Sequence, residues 1–288
     1  MRVKLVDLLT LEDAGTDLFR ASVNDTRSPR LFGGLVAGQA LVAATRTVPV
    51  DRPVHSFHSY FLRPGDTKVP VEFTVNRERD GRSFTTRHII ARQHDEAIFS
   101  MTASFQGEEE GFSHQEVVLD APPPEESLGL DDWFEQSEFA ADFADWLADY
   151  REKHPVELRF PQEPTPLSAR RGPMPSRQGM WMRSRDPLPD DRLTHVCSLT
   201  YASDLYLMST AMRPHGVGMM AGSVVGASLD HAMWFHADFR ADEWLYYDQH
   251  SPWSGGSRGL NFGHIFTPDG RLVATVVQEG LMRPRTRA

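Results

Sequence analysis

Tyr201-Ala-Ser-Asp204-Leu-Tyr-Leu-Met-Ser-Thr-Ala-Met-Arg213-Pro214 is apolar on nearly every side, yet it opens on a carboxylate. Read as a helix over residues 203–213, it has no polar face to offer water, so other structure must enclose it. Ser203 serves as its N-cap and Pro214 as its stop. That reading places Asp204 in the first turn, where the helix dipole and free N–H groups keep a carboxylate ionised. An Asp so placed either caps and charges its own helix or is a base held ready for chemistry, and only its surroundings can decide.

Upstream, Phe32-Gly33-Gly34 opens a second run of the same kind, Leu35-Val-Ala-Gly-Gln39-Ala-Leu-Val-Ala-Ala44-Thr, which ends before Val48-Pro49. Each buried run is followed by segments that read as strands. After the first come residues 55–62, 71–76, 83–91 and 97–106, with Asp80-Gly81 and His94-Asp95-Glu96 as turns. After the second come residues 224–235, 244–247, 260–266 and 271–280, with Pro268-Asp269-Gly270 turning into the last. Laying Ala97-Ile-Phe-Ser-Met-Thr-Ala-Ser104 on Arg271-Leu-Val-Ala-Thr-Val-Val-Gln278 superposes the closing strands without a gap, which makes Ser104 the counterpart of Gln278. The economical reading is a tandem duplication in an α+β chain, each half an antiparallel sheet wrapped around a central helix, the double hot-dog arrangement. The first unit covers residues 1–107 and the second 166–288. Between them, residues 108–165 form an acidic and proline-rich connector, marked by Glu108-Glu-Glu110 and Pro122-Pro-Pro124. Within it Phe139, Phe143, Trp146, Leu147 and Tyr150 recur at helical spacing, an amphipathic helix with a solvated acidic face.

The chain has 288 residues, 40% of them hydrophobic, enough for sizeable cores. Its single cysteine, Cys197, excludes an internal disulfide and a cysteine-based zinc site and fits a reducing compartment. The N-terminal stretch lacks a sustained apolar segment and no run approaches the ~20 residues of a membrane span, so a cytoplasmic protein without membrane insertion is expected. The net charge is −10, but residues 107–160 alone carry −13, which leaves about +3 on the remainder. A phosphate-bearing ligand is compatible with that remainder, whereas nucleic-acid binding would need a strong basic stripe.

In the second half the helix supplies Asp204, the next long strand Ser228 and the closing strand Gln278. Each interrupts an apolar run, and a buried polar group without a partner is costly. A cluster of the three around one water would satisfy them together, and so would a network that only ties helix to sheet. Gly255-Gly-Ser257-Arg-Gly259 matches a nucleophile elbow, but a strand follows it instead of a helix and 29 residues are too few for the missing acid and histidine. It reads as a turn, with Arg258 near the phosphates of a ligand. His55 and His58, at i and i+3 of one strand, face opposite sides and read as structural, as do His231 and His236.

The segments Phe32-Gly-Gly-Leu-Val-Ala-Gly-Gln-Ala, Val54-His-Ser-Phe-His-Ser-Tyr-Phe-Leu-Arg-Pro-Gly-Asp66, Met101-Thr-Ala-Ser-Phe-Gln106, Asp230-His-Ala-Met-Trp-Phe-His236 and Val277-Gln-Glu-Gly280 are long and specific. Through them nearly the whole chain resembles the acyl-CoA thioesterase II family, double hot dogs that hydrolyse fatty acyl-CoA thioesters. The resemblance implies that the family's catalytic Asp falls on Asp204, its Thr or Ser on Ser228 and its Gln on Gln278. It further implies an acyl-CoA substrate, no metal or other cofactor, and a homo-oligomer, dimer or tetramer. The chemistry agrees, because a thiolate leaving group with a pKa of about 8.5 needs little help from an acid. Asp204 would deprotonate a water held by Gln278 and Ser228, while Gly33 and Gly34 would lend N–H groups to the thioester. Residues 33–45 contain no carboxylate, so a single site per chain is expected. Two rivals remain: a hot-dog enoyl-CoA hydratase, which would add a histidine on the active helix where residues 203–213 have none, and a non-catalytic acyl-CoA-binding protein.

Overall fold

A computed structural model describes residues 3–23, 30–220 and 222–285. In chain order the elements are α1 (Leu5–Leu9), β1 (Glu12–Gly15), β2 (Leu18–Ala21), α2 (Gly33–Thr45), β3 (Val54–Phe61), β4 (Val71–Asp80), β5 (Phe84–Gln93) and β6 (Glu96–Gln106). Then follow β7 (Leu128–Gly129), α3 (Leu130–Glu135), α4 (Ala140–Lys153), β8 (Val156–Phe160), α5 (Thr165–Ser168), β9 (Arg177–Ser184), α6 (Arg192–Ser203) and a 3₁₀ segment, Leu207–His215. The chain closes with β10 (Val224–Ser228), β11 (Asp230–Phe235), β12 (Leu245–Gly255), β13 (Arg258–Phe266) and β14 (Leu272–Pro284).

The described strands form one antiparallel sheet in the order β1-β2-β4-β5-β6-β3-β11-β14-β13-β12-β9-β8-β7, with β10 on β14. The five strands from β2 to β3 pack over α2, and those from β11 to β9 repeat the same order over α6 and the 3₁₀ segment that continues it, which makes the double hot dog. The halves join where β3 pairs β11, Met233 opposite Phe57 and His231 opposite Ser59. Strand alternation sends Phe57, Phe73, Phe99, Phe105, Met233, Tyr247 and Val276 inward, all buried. Each such side chain contributes about 1.5–3 kcal/mol by leaving water. Among the described residues no helix is long and apolar enough to cross a membrane.

The two central helices run antiparallel in close contact, and glycine makes the contact possible. A Cβ on Gly34 would lie 2.3 Å from the Tyr201 carbonyl oxygen, and one on Gly38 3.2 Å from that of Cys197. No larger residue fits at 34 without moving a backbone.

Three expectations change. The enclosed helix lies upstream of residues 203–213: Asp191 is the N-cap of α6, its carboxylate accepting the Thr194 N–H at 2.8 Å, and Asp204 is the C-cap. Beyond it Tyr206 takes the left-handed conformation, φ 61°, and the apolar run continues as a 3₁₀ segment. The second change is register. When the halves are matched so that the bulge between Val54 and Ser56 falls on the break at Leu229, the irregularity at Ala91/Arg92 falls on that at Ile265/Phe266. Val54 then corresponds to Ser228, Phe57 to His231 and Ala103 to Gln278. Ser104 is one residue out, and a slip of one residue reverses the face. Its hydroxyl meets His55 Nε2 at 2.8 Å outside the sheet, while Ala103 is buried inside. Third, His55 is the bulged residue, so it and His58 both point outward. The acidic segment also contributes β7 and β8 to the sheet edge, and packs Phe134 on Phe143 between α3 and α4.

Candidate active site

The site begins with a helix that stops early. The last carbonyls of an α-helix have no partner within it, and inside a core they must find one elsewhere. Tyr247 donates its hydroxyl to the Ser203 carbonyl at 2.8 Å, Gln249 its amide to Leu205 O at 3.1 Å, and Gln178 its amide to Tyr206 O at 2.9 Å. These side chains from β9 and β12 hold the chain end of α6 open in a bend, and the bend aims Asp204 at the start of α2.

There the carboxylate collects three donors. Gly34 N–H reaches Oδ2 at 2.9 Å, Gln278 Nε2 reaches Oδ1 at 2.6 Å, and the Ser228 hydroxyl reaches Oδ1 at 3.2 Å. Ser228 ends β10 opposite Gly280, and Gln278 lies two residues before Gly280 on β14, so adjoining strands present both side chains to the same point. The sequence reading credits Asp204 with the dipole of its own helix. The structure puts it at that helix's C-terminal end, which disfavours an anion, and against the N-terminus of α2, which favours one. Burial dominates and lifts the Asp204 pKa to about 6, while the bonds from Gln278, Gly34 and Ser228 hold it down. At pH 7 the group is mainly ionised and still basic enough to take a proton.

Gln278 is fully buried; its Nε2 also donates to His231 Nδ1 at 3.0 Å, and its Oε1 has no hydrogen-bond partner among the described residues. His231 Nε2 meets the Ser203 hydroxyl at 2.8 Å, and burial pushes the imidazole down to about 3, so it is neutral. The walls are apolar. Phe32 stands edge-on to Tyr201 at 5.0 Å, Phe61 closes on Gly33, and Met208 occupies the room left by Gly280.

Asp204, Ser228, Gln278 and the Gly33-Gly34 start of α2 are therefore brought together, Gly33 so close that a Cβ would sit 2.7 Å from Asp204 Oδ2. Arg258 is not among them. Its guanidinium donates to Glu279 at 2.9 Å, and Glu279 leaves β14 on the face opposite Gln278. Sequence reasoning missed His231, Gln178, Tyr247 and Gln249 as partners of the site. The one signal available for them was a polar residue recurring on the inward phase of a strand.

Two family models match the chain, the acyl-CoA thioesterase N-terminal domain over residues 22–106 and acyl-CoA thioesterase over residues 150–281. Acyl-coenzyme A thioesterase 8 from Homo sapiens is 41% identical over 98% of this chain and 89% of its own length. Acyl-CoA thioesterase 2 from Haemophilus influenzae is 35% identical over 97% of this chain and 96% of its own. The crystal structure of the acyl-CoA thioesterase II TesB2 from Mycobacterium marinum superposes with a TM-score of 0.78 at 43% identity, covering 99% of this chain and 98% of that one. Full-length likeness at this level, on a chain with this fold, shows that the protein belongs to the acyl-CoA thioesterase family.

Proposed function

We propose that this thioester hydrolase cleaves fatty acyl-CoA to free fatty acid and CoA with Asp204 as general base. The observation that carries the reading is a carboxylate with a pKa near 6, held by three donors beside Gln278 Oε1, an acceptor without a partner among the described residues. A water that gives one hydrogen to Asp204 and the other to Gln278 Oε1 turns a lone pair toward the thioester carbon. As the new C–O bond forms, its proton passes to Asp204, and Ser228 keeps the carboxylate turned toward it. The carbonyl oxygen gains charge near the N-terminus of α2. Gly34 N–H serves Asp204, so Gly33 N–H is the donor assigned to that oxygen. The C–S bond then breaks and CoA departs as a thiolate. Apolar Phe32, Phe61 and Met208 suit an acyl chain more than a polar substrate.

The hydratase alternative needs a catalytic histidine on the helix that carries the carboxylate. α6 does carry His195, but far from Asp204, where its Nδ1 accepts the Ala241 N–H at 3.0 Å. Release of free thiol from acyl-CoA across a chain-length series tests the proposal. Thiol release by wild type and its loss in a folded Asp204→Asn protein support it. Hydration of an enoyl-CoA without thiol release refutes it.

A further inference from the structure

The geometry points to His231 as a positioning residue that acts with Asp204 to set which way the Gln278 amide faces. This inference rests on the reading of Gln278 as a holder of the attacking water. An amide side chain has two nearly isosteric ends, and only one orientation leaves its oxygen free for water. In the observed orientation both Nε2 hydrogens are used, one on Asp204 Oδ1 and one on His231 Nδ1. The flipped amide would set Oε1 against the Asp204 carboxylate and against the lone pair of His231 Nδ1.

His231 can supply that lone pair only as the neutral Nε2–H tautomer. The next link enforces it: Ser203 Oγ donates to the Thr200 carbonyl at 2.9 Å, so it can only accept from His231 Nε2–H, at 2.8 Å. The chain of donors thus runs from Gln278 into His231 and from His231 through Ser203 to a main-chain carbonyl that cannot reverse its role. Ser203, Gln278 and the stacked Phe57 ring, 6.0 Å away, are the groups that face the imidazole, which burial keeps uncharged. The first half needs no such device. It has Phe57 at the position of His231 and Ala103 at that of Gln278.

The test is a set of four variants assayed by thiol release: His231→Phe, His231→Asn, Gln278→Ala and the double variant His231→Phe/Gln278→Ala. Phe keeps an aromatic ring, somewhat larger than imidazole, and is the residue the other half uses, while Asn keeps an acceptor near the position of Nδ1. His231→Phe is expected to lower kcat about tenfold with KM within about twofold, the scale of one lost orienting bond. His231→Asn is expected to recover most of that loss. The double variant should be no slower than Gln278→Ala alone, because a residue that acts only through Gln278 has nothing left to position. The acid limb of kcat/KM in His231→Phe should also move above pH 6, since a flipped amide turns its oxygen on Asp204. Additive losses in the double variant, or no recovery with Asn, would overturn the positioning role. A Gln278→Ala enzyme of full kcat would overturn the reading of Gln278 and this inference with it, whereas a slow Gln278→Ala beside a fully active His231→Phe would remove this inference alone.

Discussion

The two ends of the helix pair share a backbone and differ in chemistry. At one end α6 starts conventionally, with Asp191 capping its own helix through the Thr194 N–H. At the other, α2 starts after Phe32, which has no capping side chain, and Gly34 N–H finds its acceptor in Asp204, 170 positions along the chain. The matched positions diverge accordingly. Where the second half has the C-cap Asp204 and then Ser228, His231 and Gln278, the first has the C-cap Arg46 and then Val54, Phe57 and Ala103. One end caps its helix locally and has, beside Ala103, the buried Arg87, whose guanidinium is already taken by Thr47 and Asp80. The other leaves a helix start open, and the carboxylate that fills it from the opposite half is the one raised to a useful basicity. The duplication preserved a crossing, and the chemistry depends on which residue completes it.

The largest expected effect separates the two ends outright. Asp204→Asn should lower kcat by about 10²–10⁴-fold while circular dichroism stays native, and activity within tenfold of wild type would make the ends equivalent. Next, Gly34→Ala drives a methyl against the Tyr201 carbonyl; forcing the helices apart should cost about 2–3 kcal/mol in denaturant unfolding and most of the activity. Acidification acts on the same carboxylate: kcat/KM should fall about tenfold per unit below pH 6, because the active form is ionised. The stability sign is the reverse. A carboxyl whose pKa is raised by folding favours the folded state when protonated, so its contribution is present below about pH 4 and lost as pH rises through 6. Wild-type stability relative to Asp204→Asn should decline across that window. Ser228→Val, which installs the residue of the inert end, should reduce kcat about tenfold. The smallest effect belongs to Arg46→Asp, a carboxylate placed at the matching C-cap. It removes a bond to the Leu11 carbonyl and costs about 1 kcal/mol, with kcat within twofold and no rescue of Asp204→Asn. Titration with a non-hydrolysable acyl-CoA analogue should still count one site per chain.

Much of this was legible in the sequence. Alternation exposed the strands, Asp80-Gly81 and Pro268-Asp269-Gly270 the turns, and the repeated order of elements the duplication. The central helix of the second half was not, because Ser198, Thr200 and Ser203 are polar residues on buried positions of α6 and blur its apolar pattern. The stretch after Asp204 looked more helical because Leu205, Leu207, Met208, Ala211 and Met212 keep most of its positions apolar. What breaks it is three strand side chains, Gln178, Tyr247 and Gln249, and long-range bonds of that kind leave no local trace. The counterpart of Gln278 was misplaced by one residue because β-bulges and turns of unequal length set the phase of a strand, and a gapless overlay carries neither. Asp204, Ser228 and Gln278 stood out since each breaks an apolar run; His231 did so too, but a lone buried histidine says nothing of its partner.

The seam between β3 and β11 has a consequence for how the molecule is made. β3 emerges from the ribosome early, yet Asp230, where its partner strand begins, follows the end of β6 by about 120 residues. At about 5–20 residues per second, one edge of the nascent first half stays unpaired for roughly 6–24 s. Tyr60, 62% exposed even in the finished protein, and His58 lie along that edge. An open strand of this length is a template for the same strand of a neighbouring chain. Polysomes that carry several such chains side by side set the synthesis of the second half against mispairing of the first, and the proposed base, Asp204, meets the start of α2 only when that race is won.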